Sequence, residues 1–324
     1  MNHEILKNFV VETADKCRVL VVGDAMLDKY YFGEVTRISP EAPVPINRVT
    51  KIKETLGGAA NVAHNLSLLG CHTSIIAQIG TENHGDNLVD KLISRGVDVL
   101  SVVRTEKPTT TKIRVISGHQ QMLRLDFEDT SAIAENDADK LLRNVFSQIK
   151  SVDAVIISDY GKGICTEKIC QTIIQKCRAE NKIVVVDPKG DDWAKYSGAN
   201  FITPNLKELN DILPKKISNE DAEVETAARG VIEKFNLSGL IVTRSAKGLS
   251  VIEGENISHI KAKTQEVFDV SGAGDTVISV FTLGLAGKLN SAAAAYLANV
   301  AAGVVVTKVG TYAVDRDELL QALD

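Results

Sequence analysis

The sequence has few cysteines and no apolar run of membrane-spanning length. Its five cysteines are an odd number and form no CxxC pair, so we expect neither a disulfide framework nor a structural zinc site. The most apolar stretch, residues 292–306, is shorter than the ~18 residues of a membrane span and is interrupted by Asn299 and Gly303. The N-terminus has acidic residues before any apolar run, which excludes a signal peptide. We therefore expect a soluble cytoplasmic protein with no membrane partner.

The chain also lacks a basic excess. Lysine and arginine number 37 against 42 aspartates and glutamates, which gives a net charge of −5. Proteins whose main task is to bind nucleic acid normally carry surplus positive charge, so nucleic acid is not an expected partner. Two common phosphate-binding motifs, GxxxxGK[ST] and GxGxxG after the first strand, are absent too. A P-loop NTPase and an ordinary dinucleotide oxidoreductase thereby lose their strongest sequence signals.

Short runs of β-branched residues alternate with helical patterns along most of the 324 residues. The runs are nearly continuous in valine and isoleucine, which is typical of buried parallel strands; they are 18–23, 74–80, 154–158, 182–187 and 240–244. The helical segments between and after them are 59–69, 84–95, 166–180, 220–235, 275–287 and 291–306. This alternation predicts an α/β fold with a doubly wound, mainly parallel sheet flanked by helices.

Two stretches, 29–56 and 102–128, depart from this alternation. Both place polar residues at alternate positions, which predicts a small antiparallel β subdomain with one solvated face. The acidic segment 126–137 after them is predicted to be a solvated loop. Because edge strands are either protected or paired, the stretch 29–56 also predicts a homodimer joined through this subdomain.

The segment FDVSGAGDT, residues 268–276, combines small residues with a carboxylate ahead of an apolar helix. A loop that opens a helix presents free backbone N–H groups and the positive end of the helix dipole, which suits an anion. Gly272, Ala273 and Gly274 would form this anion hole, and Asp275 would accept a proton from a hydroxyl that attacks a phosphate. The alternative is a simple N-cap turn.

Two further segments carry candidate ligand contacts. Gly57 and Gly58 permit close approach of a ligand, and Asn61 follows in the first turn of the next helix. Asp24 and Asp28 flank the end of the first strand, where open α/β sheets bind ligands, and their carboxylates suit sugar hydroxyls. For the glycines the alternative is a turn before an ordinary helix. For the two carboxylates the alternatives are a metal pair, which no histidine or cysteine of the motif joins, and ordinary loop or cap positions.

The segments GGAANVA and DVSGAGDT, in this order, resemble the two signatures of the ribokinase-like (PfkB) carbohydrate kinases. Further segments resemble the heptose 7-phosphate kinases of lipopolysaccharide-core synthesis, and the similarity covers nearly the whole chain. These segments are RISPEAPVPI (37–46), HQQMLRLDFE (119–128), SDYGKG (158–163), VDPKG (186–190), TPNLKE (203–208), VTRS (242–245) and ANVAAGVVVTKVGT (298–311).

The resemblance implies an ATP- and Mg²⁺-dependent kinase that phosphorylates D-glycero-β-D-manno-heptose 7-phosphate at its C1 hydroxyl, as a step toward ADP-heptose. Asp275 matches the catalytic base, and residues 272–274 match the anion hole. The sugar contacts of the family match Asp24, Asp28, Gly57, Gly58 and Asn61. Nucleotide contacts are implied for Asn205, Leu206, Lys207, Glu208, Thr243, Arg244, Lys247, Gly248, Asn299 and Gly303. Asn205 and Glu208 match the residues that organise Mg²⁺, and Asp269 with the loop 307–311 matches a site for a monovalent cation such as K⁺.

A sugar that already carries a phosphate needs a second anion site. The candidate cations are Lys112, Arg114, Arg124, Lys162 and Lys189, and Glu128 could hold a sugar hydroxyl. Lys112 and Arg114 share a face if they lie on one strand. For each of these residues a solvated surface position is the alternative.

The resemblance implies one kinase domain over residues 1–324, with a lid subdomain formed by 29–56 and 102–128. Many relatives continue into a nucleotidyltransferase domain, and no segment resembling its FDxxHxGH-like motif occurs before Asp324. The chain is therefore expected to be a stand-alone kinase or half of a bifunctional enzyme. Two other functions stay open: a ribokinase-like kinase for a different sugar, and a catalytically idle sugar-binding regulator.

Overall fold

A computed structural model describes residues 3–263 and 266–324. The strands in chain order are β1 Arg18–Gly23, β2 Ala25–Ile38, β3 Pro45–Gly58, β4 His72–Ile76, β5 Gln78–Gly80, β6 Val103–Thr105, β7 Thr111–Ser117, β8 Gln120–Phe127, β9 Ala154–Ser158, β10 Ile183–Asp187, β11 Phe201–Ile202, β12 Gly239–Thr243, β13 Leu249–Glu253 and β14 Asn256–Ile260. The α-helices are α1 His3–Glu12, α2 Ala59–Leu68, α3 Asn83–Ser94, α4 Glu135–Gln148, α5 Glu167–Ala179, α6 Leu206–Ile212, α7 Asp221–Phe235, α8 Ala273–Ala286, α9 Ser291–Val305 and α10 Arg316–Ala322.

The main sheet has eight strands in the order β14-β13-β12-β11-β10-β9-β1-β4. All pairs from β12 to β4 are parallel, whereas β12, β13 and β14 pair antiparallel. The central strands are valine- and isoleucine-rich and almost fully buried, as expected for a sheet flanked by helices. Helix α8 packs on β9 and β10 and against α9, which brings its N-terminus to the carboxyl ends of the parallel strands.

A smaller sheet, with the order β3-β2-β7-β8, extends from the main body. Its β2–β3 and β7–β8 pairs are antiparallel, but β2 and β7 are parallel, so the small sheet is mixed rather than wholly antiparallel. Strand β2 begins two residues after β1 ends, and β3 ends directly before α2. The small sheet therefore joins the main body at Asp24 and Gly58, beside the predicted site.

The predicted doubly wound α/β fold is confirmed, with local differences. The run 74–80 is divided between two sheets, because β4 pairs with β1 while β5 pairs with β6. Residues 103–105 thus lie outside the small sheet, although they fall within the predicted 102–128 segment. The predicted loop 126–137 ends in the first turn of α4.

All five cysteines are buried and unpaired, in agreement with the expected absence of a disulfide framework. In the described part of the chain, no helix combines the length and hydropathy that crossing a bilayer would need.

Candidate active site

Asp275 lies in the first turn of α8, with its side chain almost fully buried. The turn before it is possible because Gly272 adopts a left-handed backbone conformation with φ of 84°. Asn61 Nδ2 donates a hydrogen bond of 2.7 Å to one carboxylate oxygen, and the Tyr160 hydroxyl donates one of 2.5 Å to the other. Burial raises the pKa of Asp275 to about 6, although both hydrogen bonds act in the opposite direction. This carboxylate can therefore exchange a proton near neutral pH.

The backbone N–H groups around Asp275 are not equivalent. Ala273 N–H donates to the carbonyl oxygen of Val270 at 3.2 Å, so it is already engaged in the turn. Within residues 3–263 and 266–324, Gly274 N–H donates no backbone hydrogen bond. A Cβ added at Gly274 would meet no atom within 4 Å, so open space lies in front of this amide. Of the predicted anion hole, Gly274 has the geometry that suits an incoming phosphate.

The contact between Tyr160 and Asp275 was not predicted from the sequence. Tyr160 belongs to the SDYGKG segment after β9 and approaches Asp275 across the carboxyl edge of the sheet. Its backbone is fixed by Asp24, whose carboxylate accepts N–H bonds from Tyr160, Lys162 and Ile164 at 2.8, 3.0 and 3.3 Å. Asp24 thus holds the loop in place, and its role as a direct sugar contact stays a prediction.

Asp28 points into the same region from β2. It forms an ion pair of 2.6 Å with Arg114, whose guanidinium also lies over the Tyr30 ring at 5.2 Å. A Cβ at Gly57 would lie 2.6 Å from Asp28 Oδ2, and one at Gly58 would lie 2.4 Å from the Asp24 carbonyl oxygen. The absence of side chains at the two glycines therefore leaves space for Asp28 and for the backbone of Asp24. The sequence had predicted that this space serves a ligand.

The candidate cations differ in their partners. Lys162 pairs with Glu128 at 2.7 Å, Lys189 lies 3.6 Å from Glu208, and Arg124 binds the neighbouring Asp126 through two nitrogens. These three cations and Glu128 are therefore already compensated.

Lys112 is different. It lies opposite Asp28 in the strand register, yet no carboxylate among the described residues forms an ion pair with it. Burial lowers the pKa of Lys112, and the nearby charges of Lys162 and Arg124 lower it further. Lys112 and Arg114 share one face of the small sheet, as their spacing predicted.

Asn205 and Glu208 form a capping box at the start of α6. The Asn205 side chain accepts Glu208 N–H at 2.9 Å, and the Glu208 carboxylate accepts Asn205 N–H at 3.0 Å. Leu206 and the exposed Lys207 complete this turn. The second oxygen of Glu208 stays outside the cap and faces the end of β10.

Asp187, at the end of β10, is a second group that sequence reasoning missed. Burial raises the pKa of Asp187 well above its ordinary range, and the nearby carboxylates of Glu208 and Asp275 raise it further. Its position at the end of a parallel strand, within the VDPKG segment, was the available signal. A divalent cation held beside Asp187 and Glu208 would relieve the repulsion between their carboxylates.

Several predicted nucleotide contacts have structural roles here. Arg244 is buried, and its guanidinium donates four hydrogen bonds of 2.6–2.9 Å to Asn219, Asp221 and Ser250, which hold it within the protein. Lys247 donates to Asn219 O at 2.6 Å and pairs with Glu220.

The other predicted nucleotide contacts lie on β12, on the turn after it and on α9. Gly248 is required because a Cβ would lie 2.0 Å from Ile260 O. Thr243 N–H donates to the Pro204 carbonyl, and Asn299 donates to Lys261 O at 2.9 Å, with Gly303 one turn further along α9.

Asp269 joins two loops near Asp275. Its carboxylate accepts Ser271 N–H and Gly310 N–H, both at 2.9 Å. Burial alone would raise the pKa of Asp269, but these hydrogen bonds outweigh it and the pKa is lowered. An ionised carboxylate between residues 269–271 and 307–311 is compatible with a nearby cation.

Comparisons with known proteins agree with this geometry. The chain is 44% identical over 321 residues to the bifunctional protein HldE of Desulfatibacillum aliphaticivorans, and 43% identical over 311 residues to that of Pasteurella multocida. These alignments cover 98% and 95% of this chain, but only 65% and 64% of those two proteins. The chain thus spans less than two thirds of the length of these relatives.

The fold is similar to that of solved sugar kinases. Phosphofructokinase-2 from Escherichia coli in complex with potassium superposes with a TM-score of 0.79 at 19% identity, covering 95% of this chain and 98% of that one. Arabidopsis thaliana ribokinase complexed with ribose and ATP superposes with a TM-score of 0.74 at 19% identity, and the superposition covers 95% of this chain and 99% of the ribokinase chain. The model of the family described as "pfkB family carbohydrate kinase" matches residues 16–318. The chain therefore belongs to the pfkB family of carbohydrate kinases.

Proposed function

We propose that the chain phosphorylates D-glycero-β-D-manno-heptose 7-phosphate at its C1 hydroxyl with ATP, giving the 1,7-bisphosphate for ADP-heptose and lipopolysaccharide-core synthesis. The observation that carries the kinase reaction is Asp275, a buried carboxylate beside the open N-terminus of α8. Asp275 accepts the C1 proton while the C1 oxygen attacks the γ-phosphorus of ATP, whose bond to the β,γ-bridging oxygen breaks as ADP leaves. Gly274 N–H and the helix dipole stabilise the negative charge of the transferred phosphoryl group.

The 7-phosphate is assigned to Lys112 and Arg114. Lys112 is half-buried and lacks an ion-pair partner among the described residues. Arg114 lies on the same face and pairs with Asp28 through Nη1, while the other donors of its fork are suited to phosphate. The segments RISPEAPVPI and SDYGKG resemble heptose 7-phosphate kinases and support this acceptor. In this proposal the small sheet covers the acceptor as a lid and excludes the water that would otherwise hydrolyse ATP.

Two cations are assigned to carboxylates near the site. Mg²⁺, which would neutralise the phosphate charges of ATP, would be held beside Asp187 and Glu208. A monovalent cation such as K⁺ would lie beside Asp269, whose ionised carboxylate joins the loops 269–271 and 307–311. The adenosine would extend from there toward Asn299 and Gly303 on α9.

A homodimer joined through the small sheet completes the proposal. One face of this sheet carries the charged residues of the site. The opposite face exposes an apolar surface formed by Ile52, Leu123, Leu125 and Phe127. Edge strands β3 and β8 flank this face, so a second copy could cover it.

The test is ADP release with Mg-ATP and four acceptors: D-glycero-D-manno-heptose 7-phosphate, its dephosphorylated form, fructose 6-phosphate and ribose. We expect turnover only with the heptose 7-phosphate. Equal turnover with the dephosphorylated heptose would keep the kinase and contradict the second anion site. Absence of turnover with all four, together with sugar binding by calorimetry, would point instead to a sugar-binding regulator.

A further inference from the structure

The loop after β9, residues 159–164, is held more firmly than a surface turn requires. Asp24 receives three backbone N–H groups from it, and Asp159 receives a fourth at 2.7 Å. Asp159 is itself bonded by the side chains of Lys195 and Tyr196, each at 2.6 Å. Both aspartates are buried, so these bonds are shielded from water. These hydrogen bonds fix the position of the loop, and thereby of the side chain that contacts Asp275 at the start of α8.

That side chain is Tyr160, and we propose that it is a positioning residue for Asp275. Its hydroxyl holds the carboxylate in the orientation, and in the ionised form, that proton transfer from the acceptor requires. The inference rests on the proposed role of Asp275 as proton acceptor. Tyr160 itself does not touch the reacting atoms, and it acts through Asp275.

The geometry fixes the carboxylate from both sides. Asn61 Nδ2 donates to Oδ2 and the Tyr160 hydroxyl donates to Oδ1, so rotation of the carboxyl group would break two hydrogen bonds. An ionised carboxylate is an acceptor only, so the hydroxyl proton must point at Asp275. Burial raises the pKa of Tyr160 well above its ordinary range, and this hydroxyl therefore stays a donor. Each carboxylate oxygen has a second lone pair for the substrate.

The same hydrogen bond opposes the effect of burial on Asp275. Among the groups facing Asp275 from the neighbouring elements, Asp28 raises its pKa, whereas Lys112, Asn61 and Tyr160 lower it. Asp187 also faces it from the end of β10, with Glu208 beyond. Of the groups that lower the pKa, the Tyr160 hydroxyl acts most strongly. Its removal should therefore leave a carboxyl that is protonated at a higher pH.

The experiment measures the Asp275 carboxyl directly, in the ligand-free protein. Protein labelled with ¹³C at the aspartate carboxyls is titrated by NMR, and Asp275→Asn identifies the signal. We expect the titration midpoint in Tyr160→Phe to rise by about one pH unit. The control is Tyr296→Phe, which removes a hydroxyl that contacts His3 and not Asp275, and it should leave the midpoint unchanged.

An unchanged midpoint in a folded Tyr160→Phe protein would overturn the inference. If that variant does not fold, 3-fluorotyrosine at position 160 replaces it, because its more acidic hydroxyl should lower the midpoint. If the heptose phosphate is turned over, the acidic limb of kcat/KM should move by the same amount in Tyr160→Phe. The NMR result needs no substrate, so it stands or fails separately from the proposed reaction.

Discussion

Asp275 has one hydrogen-bond donor on each carboxylate oxygen and little access to water. Burial alone would raise the pKa of the carboxyl further, whereas full solvation would make it too weak a base. The two donors balance these effects and keep the pKa at about 6. A carboxylate in this state is ionised at pH 7 and still able to accept a proton.

Asp275→Asn removes the proton acceptor while keeping the size of the side chain. We expect a fold that is unchanged by circular dichroism and a kcat that falls by about 10²–10⁴-fold, the usual contribution of a general base. The measurement is ADP release with Mg-ATP and the heptose 7-phosphate. Asp90→Asn, an exposed position on α3, serves as the control and should keep the wild-type rate. A wild-type rate in Asp275→Asn would remove this residue from the reaction.

The pH profile tests the same carboxylate without a substitution. Because the pKa of Asp275 is raised to about 6, the base is protonated and inactive below that pH. We expect kcat/KM for the sugar phosphate to be level above the pKa and to fall tenfold per unit below it. Circular dichroism over the same range controls for unfolding. A profile that stays flat to pH 5 in folded protein would contradict this assignment.

Lys112→Ala tests the second anion site. Loss of a charge-assisted contact should raise KM for the 7-phosphorylated sugar by about tenfold or more. Affinity for the dephosphorylated sugar, measured by calorimetry, should not change. Arg48→Ala is the matched control, since Arg48 is exposed and pairs with Glu34 away from the site. Equal losses with both sugars would show that Lys112 supports the small sheet and does not bind phosphate.

At the scale of elements, the N-terminus of α8 contains two glycines with different tasks. Gly272 needs its positive φ, so any side chain there strains the turn. Gly274 is helical and has open space around its Cβ position, so its lack of a side chain serves no local packing need. The remaining reason is access to the amide from outside.

Gly274→Ala should therefore separate stability from activity. Alanine favours the helix by roughly 0.5–1 kcal/mol, so the melting temperature should stay the same or rise slightly. The methyl group enters the space proposed for the transferred phosphoryl, so kcat should fall at least tenfold. Gly230→Ala, an equally open helical position in α7, should show the stability effect alone. Unchanged kcat in Gly274→Ala would place the phosphoryl group elsewhere.

The elements that the sequence predicted well are those with a strong local pattern. The continuous β-branched runs of β1, β9, β10 and β12 and the amphipathic helices between them were located to within a few residues. Helix α4 was missed because it follows an acidic segment and its N-cap residue, Ala134, carries no capping side chain. The pairing of β6 with β5 depends on contacts between distant segments, and no local pattern reports it.

The site shows the same division. The sequence grouped Asp275 with residues 272–274, which are adjacent in the chain. The bond from Tyr160 to Asp275 joins residues 115 positions apart, and only the topology brings them together. The hydrogen bonds from Arg244 to Asn219 and Asp221 could not be predicted either, because the sequence around an arginine at a strand end does not indicate its partners.

For the whole molecule, the two faces of the small sheet differ in chemical character. The face with Asp28, Lys112 and Arg114 is directed at the site, while the apolar face across the strands is exposed. An exposed apolar sheet face of this kind is typical of an interface between protein chains. In the proposed homodimer, each small sheet would cover the apolar face of the other.

Leu125→Lys places a charge in the centre of this apolar face. We expect the wild-type protein to have a dimeric mass at micromolar concentration and the variant to be monomeric, because burying an unpaired charge opposes association. Static light scattering provides the mass. Ile5→Lys, an equally exposed apolar position on α1, should remain dimeric. A monomeric wild-type protein would contradict the dimer.

The five buried, unpaired cysteines can be used to measure local unfolding of the protein. Burial raises the pKa of Cys17 to about 11 and those of Cys71 and Cys177 to about 12, so these thiols are neutral and shielded from alkylating reagents. Each thiol can be modified only when its segment transiently opens. Cys17 and Cys71 lie at the start of β1 and β4, whereas Cys170 and Cys177 lie in α5. Alkylation rates compared between these two groups would thus measure how independently the two regions unfold.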